Sequence, residues 1–150
     1  MDEITKIKIR HEISRIDKSL SDVAPLLKLC KIKEQPDIIE MTATAQILHS
    51  FYNGVESIIV LLFKYLAEKL PNDFRWHKTL LEMAFGANPK NIKIFGEDKK
   101  LLNDYLSFRH FIRHSYSSEL DWKIMKPLVN EIECIWQNLK TDFGTFMENN

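Results

Sequence analysis

Apolar residues recur at steps of three and four positions along most of this chain, with charged residues between them. This period is typical of amphipathic helices, whereas strands would alternate apolar and polar residues. Glycine and proline, which interrupt helices, occur only 4 and 5 times. The pattern therefore predicts an all-α protein, a bundle of four or five antiparallel helices, because each apolar stripe must be buried against another.

The first two predicted helices occupy the N-terminal half of the chain. The first runs from about Asp2 to the region of Leu29, and Pro25 inside it is expected to bend or divide it. The second opens at Pro36, because proline suits the first turn of a helix. It continues through a long apolar stripe to Pro71, which is expected to stop it.

Three further helices are predicted in the C-terminal half. A short one runs from residue 76 or 77 to residue 85, and residues 86–96 then form the longest expected loop. A fourth helix starts near residue 97 or 98 and ends between residues 114 and 117. Asp121 is suited to cap a final helix, in which Pro127 is tolerated as an early bend.

Length and composition predict a single soluble domain over residues 1–150. The 21 basic and 21 acidic residues cancel, so any site for a polyanion must be local. Cys30 and Cys134 show no paired spacing, which predicts free thiols and no disulfide. The first residues lack a signal-peptide pattern and the longest apolar run is too short to span a bilayer. We therefore expect a cytoplasmic protein that does not bind a membrane.

The end of the fourth predicted helix concentrates two arginines and two of the 5 histidines. Residues four apart share a helix face, which pairs Arg109 with Arg113 and His110 with His114. Tyr116 lies two turns beyond Arg109 and nearly in line with it on an ideal helix. Arg109 and His114 diverge by about 140° on the same helix. Their cooperation therefore needs a bend or a shared cleft.

These residue types suit the cleavage of RNA without a metal ion. Arginine offers a permanent forked charge for a phosphate, and histidine alone titrates near neutral pH. Transesterification needs a base for the 2′-hydroxyl proton, an acid for the leaving oxygen and a cation for the phosphorane. The spacing alone also fits a second interpretation, in which cationic side chains complete a helix C-terminus.

The order Arg109, four residues, His114, one residue, Tyr116 resembles the active-site signature of the HEPN superfamily. The sequence around this motif resembles HepT-like toxins of that superfamily. The blocks that carry this resemblance are residues 51–56, 76–83, 102–116, 119–122 and 126–129. Several ordered blocks in a helical chain are a far more specific match than the short motif alone.

The resemblance implies a HEPN-like homodimer in which the motifs of two subunits face one cleft, with Arg109 and His114 as catalytic residues. It implies a metal-independent endoribonuclease, without a cofactor, that acts on RNA and not DNA as the toxin of a toxin-antitoxin pair. The implied partner is a minimal nucleotidyltransferase antitoxin that attaches AMP to Tyr116. Phosphates added there would pair with Arg109 and block the substrate phosphate.

Four residues are candidates for supporting roles. Many relatives have Asn directly after the motif arginine, where this chain has His110. We interpret His110 as a second proton carrier, a hydrogen-bond donor to phosphate or a packing residue, and a supporting role is the first choice. Arg113 shares the face of Arg109. Asn53 and Glu56 border an apolar run, where Glu56 either orients Arg109 or a histidine of the next helix, or forms a solvated edge. The resemblance favours the orienting role.

The remaining histidines carry weaker predictions. His77 near a helix start either lines the cleft or is structural, and the structural role is the more common one. His11 and His49 have no companion at ligand spacing and are expected to be surface or satisfied histidines. His110 and His114 have the four-residue step of a zinc site but lack a clear third ligand, so no metal site is predicted.

Two other functions stay open at the level of sequence. One is a non-catalytic module whose basic motif binds a nucleotide or a protein partner. The other is a helical subunit of a nucleotidyltransferase complex that presents substrate. Cleavage of RNA in excess EDTA would separate both from a metal-independent nuclease.

Overall fold

The computed structural model describes all 150 residues as five helices joined by loops. The helices are α1 (Glu3–Ile32), α2 (Ile38–Tyr65), α3 (Trp76–Ala84), α4 (Lys99–Arg113) and α5 (Trp122–Asn149). A 3-10 turn, Ser117–Glu119, lies between α4 and α5. One isolated bridge joins Phe85 to Lys93, and no strand forms. The prediction of an all-α helical bundle is confirmed.

Aspartate side chains cap the starts of three helices, α1, α2 and α5. At the start of α2 the Asp37 carboxylate accepts from the backbone N–H of Glu40 at 2.8 Å, and the Glu40 carboxylate accepts from the N–H of Asp37 at 3.0 Å. This capping box satisfies donors that the first turn leaves free. At the start of α5, Asp121 accepts from the N–H of Lys123 at 2.9 Å, as predicted.

Helix α2 ends at Tyr65, so the prediction that it continues to Pro71 is wrong. Ala67 adopts a left-handed conformation with φ of 55°. The N–H of Glu68 donates to the carbonyl of Phe63 at 3.0 Å, and the N–H of Ala67 donates to that of Lys64 at 3.1 Å. This pair of bonds is a Schellman motif, which closes a helix without proline.

Helix α1 is continuous through Pro25, so of the two predicted alternatives, a bend or a division, the division is wrong. Proline removes one backbone donor and does not by itself end a helix whose flanking turns are held by burial. Pro25 lies on the exposed side, while Leu20, Leu27 and Cys30 are buried on the other. Packing on both sides of the proline therefore keeps the helix intact.

Helix α2 is the central element and packs against all four other helices. The core is one cluster of 36 buried apolar residues drawn from every helix. By length and composition α2 is apolar enough to cross a bilayer, but 56% of the stretch concerned is buried inside the bundle. That burial is typical of the core helix of a soluble protein. The polar residues of α2 that do face other helices therefore require partners.

Candidate functional site

Arg109 lies on the face of α4 that packs against α2 and α3, where its side chain is half-buried. Its Nε–H donates to Oδ1 of Asn53 on α2 at 2.5 Å. Its Nη1 group lies 3.5 Å from Nε2 of His77 on α3. Two atoms of one planar guanidinium thus contact two different helices.

Glu56 lies one turn after Asn53 on α2 and is buried, with 6% of its surface exposed. Its Oε2 lies 2.7 Å from Nδ1 of His77. The ring of Trp76 covers the imidazole, with the ring centroids 3.6 Å apart. The hydrogen-bond pattern assigns the proton to Nδ1, which donates to the carboxylate, and leaves Nε2 to accept from Arg109.

His49 extends this cluster along α2. The Asn53 amide Nδ2 lies 3.3 Å from Nε2 of His49, so an unprotonated Nε2 can accept its N–H. Burial, and then the charges of Arg109 and Arg113, lower the pKa of His49. A neutral imidazole is therefore favoured beside the two arginines.

The two arginines of the motif have no acidic partner. Neither Arg109 nor Arg113 takes part in an ion pair, whereas Lys99, at the opposite end of α4, is paired with Glu82 at 2.9 Å. The carboxylate of Glu56 reaches Arg109 only through the imidazole of His77. The charge of both guanidinium groups is thus available to an incoming anion.

His110 and His114 lie on the exposed side of the end of α4, apart from the Arg109 cluster. Their ring centroids are 4.8 Å apart and the rings are tilted by 59°. No hydrogen bond joins either ring to Arg109 within one chain. No third side chain completes a metal-binding group around them. A single chain therefore presents the arginine and the histidine pair separately.

Tyr116 lies outside α4, so its predicted helical alignment with Arg109 is wrong. The helix ends at Arg113, and Tyr116 has an extended backbone with its N–H donating to Oε1 of Glu119 at 3.1 Å. The residue is 81% exposed. Tyr116 lines a largely apolar groove of about 650 Å³, together with Ile38, Ile112 and other residues.

The structure brings Asn53, Glu56 and Arg109 into one cluster and adds two residues to it, His77 and His49. His77 was predicted either to line the cleft or, as the more common case, to be structural, and His49 was predicted to be a surface or satisfied histidine. For His77 the signal in the sequence was its residue type at a predicted helix start. His49 offered one further indication, because it shares a helix face with Asn53, four residues on.

Residues 43–150 match the model of a protein family described as HepT-like protein. No curated protein and no solved structure matches the chain. The matched region begins within α2 and contains the whole site from His49 to Tyr116. Because the match covers well over half of the chain and includes the motif on α4, the chain belongs to the HepT-like family.

Proposed function

We propose that this protein is a metal-independent endoribonuclease, the toxin of a cytoplasmic toxin-antitoxin pair. The observation that carries the proposal is the arrangement of Arg109, whose guanidinium is held by Asn53 and His77 and has no acidic partner. A fixed, uncompensated guanidinium is suited to a phosphate that gains charge in the transition state. Membership of the HepT-like family supports the same assignment.

The proposed reaction is a transesterification within RNA. A histidine takes the proton of the 2′-hydroxyl, O2′ attacks the phosphorus, and the bond from phosphorus to O5′ breaks while a second group protonates O5′. The products are a 2′,3′-cyclic phosphate and a 5′-hydroxyl. Arg109 stabilises the phosphorane, His114 carries a proton, and His110 and Arg113 assist beside them.

The active species is a homodimer. Within one chain Arg109 faces α2 and α3, while His114 is exposed at the end of α4. Two copies that bring their α4 ends together form a composite cleft, in which an arginine and a histidine reach one phosphodiester. The half-buried guanidinium and the exposed histidines are both consistent with completion of the site by a second chain.

The proposed regulation is modification of Tyr116 by a minimal nucleotidyltransferase antitoxin. The tyrosine oxygen attacks the α-phosphorus of ATP, AMP is attached and pyrophosphate leaves. The exposure of Tyr116 supports this proposal, because a second enzyme must reach its hydroxyl. The added phosphate is an acceptor for the unpaired guanidinium groups and excludes the RNA phosphate.

A second candidate function is a non-catalytic subunit that binds a nucleotide or a partner within a nucleotidyltransferase complex. The separation of Arg109 from His114 in one chain favours it, because a binding site needs the cation alone. This candidate predicts RNA or nucleotide binding without cleavage.

The decisive variants are Arg109→Ala and His114→Ala, assayed with a fluorescent RNA in excess EDTA. Loss of a cation that stabilises the transition state lowers the rate by about 10²–10³-fold, and loss of a proton carrier lowers it by about 10²–10⁴-fold. His11→Ala, at an exposed histidine of α1, is the matched control and keeps the wild-type rate. Cleavage retained by the first two variants would remove these roles.

Mass spectrometry after co-expression with a minimal nucleotidyltransferase tests the modification. An adduct of the mass of AMP on Tyr116, absent from Tyr116→Phe, is the expected result. An adduct confined to another residue would overturn the assignment of Tyr116.

A further inference from the structure

We propose that His77 is a positioning residue that, with Asn53, fixes the plane of the Arg109 guanidinium toward the substrate phosphate. This inference rests on the proposed function for its kinetic consequence. The contacts that carry it stand independently of any activity.

Two contacts other than that with Arg109 hold the His77 ring in place, one with Glu56 and one with Trp76. Its Nδ1 lies 2.7 Å from the buried carboxylate of Glu56, which has no other hydrogen-bond partner. Trp76 covers one face of the ring. A charged group as buried as Glu56 requires such a partner, so the imidazole is constrained in both tautomer and rotation.

The contact from His77 to Arg109 is long, at 3.5 Å, so it adds little energy. Its role is to orient the guanidinium. The Asn53 contact fixes Nε at 2.5 Å and the His77 contact fixes Nη1. Two anchors on one plane restrict its rotation about the bond from Nε to Cζ. The remaining donors of the guanidinium, including both on Nη2, stay free for a phosphate.

The alternative is that His77 serves only to satisfy Glu56. Two substitutions separate these roles, because the amide of asparagine reaches the position of Nδ1 and that of glutamine reaches the position of Nε2. His77→Asn keeps a donor for Glu56 and removes the acceptor for Arg109. His77→Gln supplies an amide oxygen for Arg109. If His77 serves only Glu56, the Arg109 guanidinium should be no better oriented in His77→Gln than in His77→Asn.

The first test measures Arg109 by ¹⁵N nuclear magnetic resonance in the full-length protein, without RNA. Separate Nη1 and Nη2 signals, which indicate slow rotation about the Nε–Cζ bond, are expected in wild type and in His77→Gln. Merged signals are expected in His77→Asn. Lys78→Ala, at the exposed next residue of α3, is the control and leaves them separate. Signals that stay separate in His77→Asn would overturn the inference.

The second test is kinetic. A guanidinium that has lost its alignment lowers kcat by up to about 10²-fold, with little change in KM, in His77→Asn, and His77→Gln recovers most of the rate. A rise in KM at constant kcat, or glutamine no better than asparagine, would overturn the positioning role. If wild-type protein cuts no RNA, the proposed function fails, while the resonance experiment still decides the role of His77.

Discussion

At the scale of single residues, the central feature is an arginine oriented by an amide and an imidazole rather than by a carboxylate. A directly paired acid would orient Arg109 equally well but would offset the charge that a phosphate needs. Asn53 and His77 provide orientation without an adjacent negative charge. The nearest acid, Glu56, acts on the imidazole instead.

Two buried tyrosines provide a matched test of hydrogen bonding in the core. Tyr105 donates to the carbonyl of Leu128 at 2.5 Å, whereas the hydroxyl of Tyr52 has no partner. Tyr105→Phe is expected to lower the free energy of unfolding by about 1 kcal/mol. Tyr52→Phe is expected to leave it unchanged or raise it, because no hydrogen bond is lost. Urea unfolding measures both, and equal losses would contradict the assignment.

His49 predicts a specific dependence of stability on pH. Its pKa is lowered in the folded protein by burial and by Arg109 and Arg113, from about 6.5 in the unfolded chain. The folded state therefore binds fewer protons, and its stability is full above about pH 6.5. That stability is lost as the pH falls through the folded pKa.

The matching variant is His49→Gln, which keeps an acceptor near Asn53 and cannot titrate. Its free energy of unfolding should fall less between neutral and mildly acidic pH than that of wild type, measured by urea unfolding at each pH. His11→Gln, at an exposed histidine, should keep the wild-type slope. The same slope in His49→Gln and wild type would show that His49 contributes nothing.

The sequence predicted part of this site for a physical reason. Asn53 and Glu56 are polar residues beside a long apolar run, and such residues need partners when buried. A place for His77 in the cleft was one of two alternatives at the level of sequence, and its contact with Arg109 could not be predicted, because that contact depends on how α3 packs across α2. The tilt of one helix against another decides whether its first residues face Arg109 or solvent.

At the scale of elements, the starts of helices were easier to predict than their ends. Asp121 is a capping residue of ordinary type, and the predicted cap forms. The prediction that α2 opens at Pro36 is wrong by two residues, because Asp37 is the N-cap and the helix begins at Ile38. The end of α2 was missed because its left-handed residue is Ala67, where glycine is the usual indication. Pro71 is a helix-breaking residue in the sequence, but it lies six residues after the last residue of α2, Tyr65.

Ala67 also predicts a stabilising substitution. A residue with a Cβ atom is strained at a φ of 55°, so Ala67→Gly should raise the free energy of unfolding by about 0.5–1 kcal/mol. Ala43→Gly, at an exposed position inside α2, should lower it by about 1 kcal/mol. Thermal unfolding measures both variants. A loss of stability in Ala67→Gly would contradict the Schellman geometry.

At the scale of the whole molecule, a chain of zero net charge carries a local excess of positive charge at the end of α4. Arg109 and Arg113 lack ion pairs, and His110 and His114 are exposed at the same end of the helix. Within one chain, Arg109 contacts neither His110 nor His114 by a hydrogen bond. The proposed reaction therefore requires a second copy of the chain to complete the site.

Mixed dimers test that requirement. If each site takes its arginine from one chain and its histidine from the other, a dimer of Arg109→Ala with His114→Ala retains one intact site. It should cleave RNA well above either parent. A dimer of wild type with a chain carrying both substitutions is the control, and it should be inactive because each site lacks one group. Activity in the control alone would show that both groups act within one chain.

The most direct test of the central claim uses two RNA substrates of one sequence, one natural and one with every 2′-hydroxyl methylated. Wild-type protein in excess EDTA is predicted to cut only the natural RNA and to leave a 2′,3′-cyclic phosphate, because O2′ is the nucleophile. No cleavage of either substrate, or equal cleavage of the methylated one, would contradict the account.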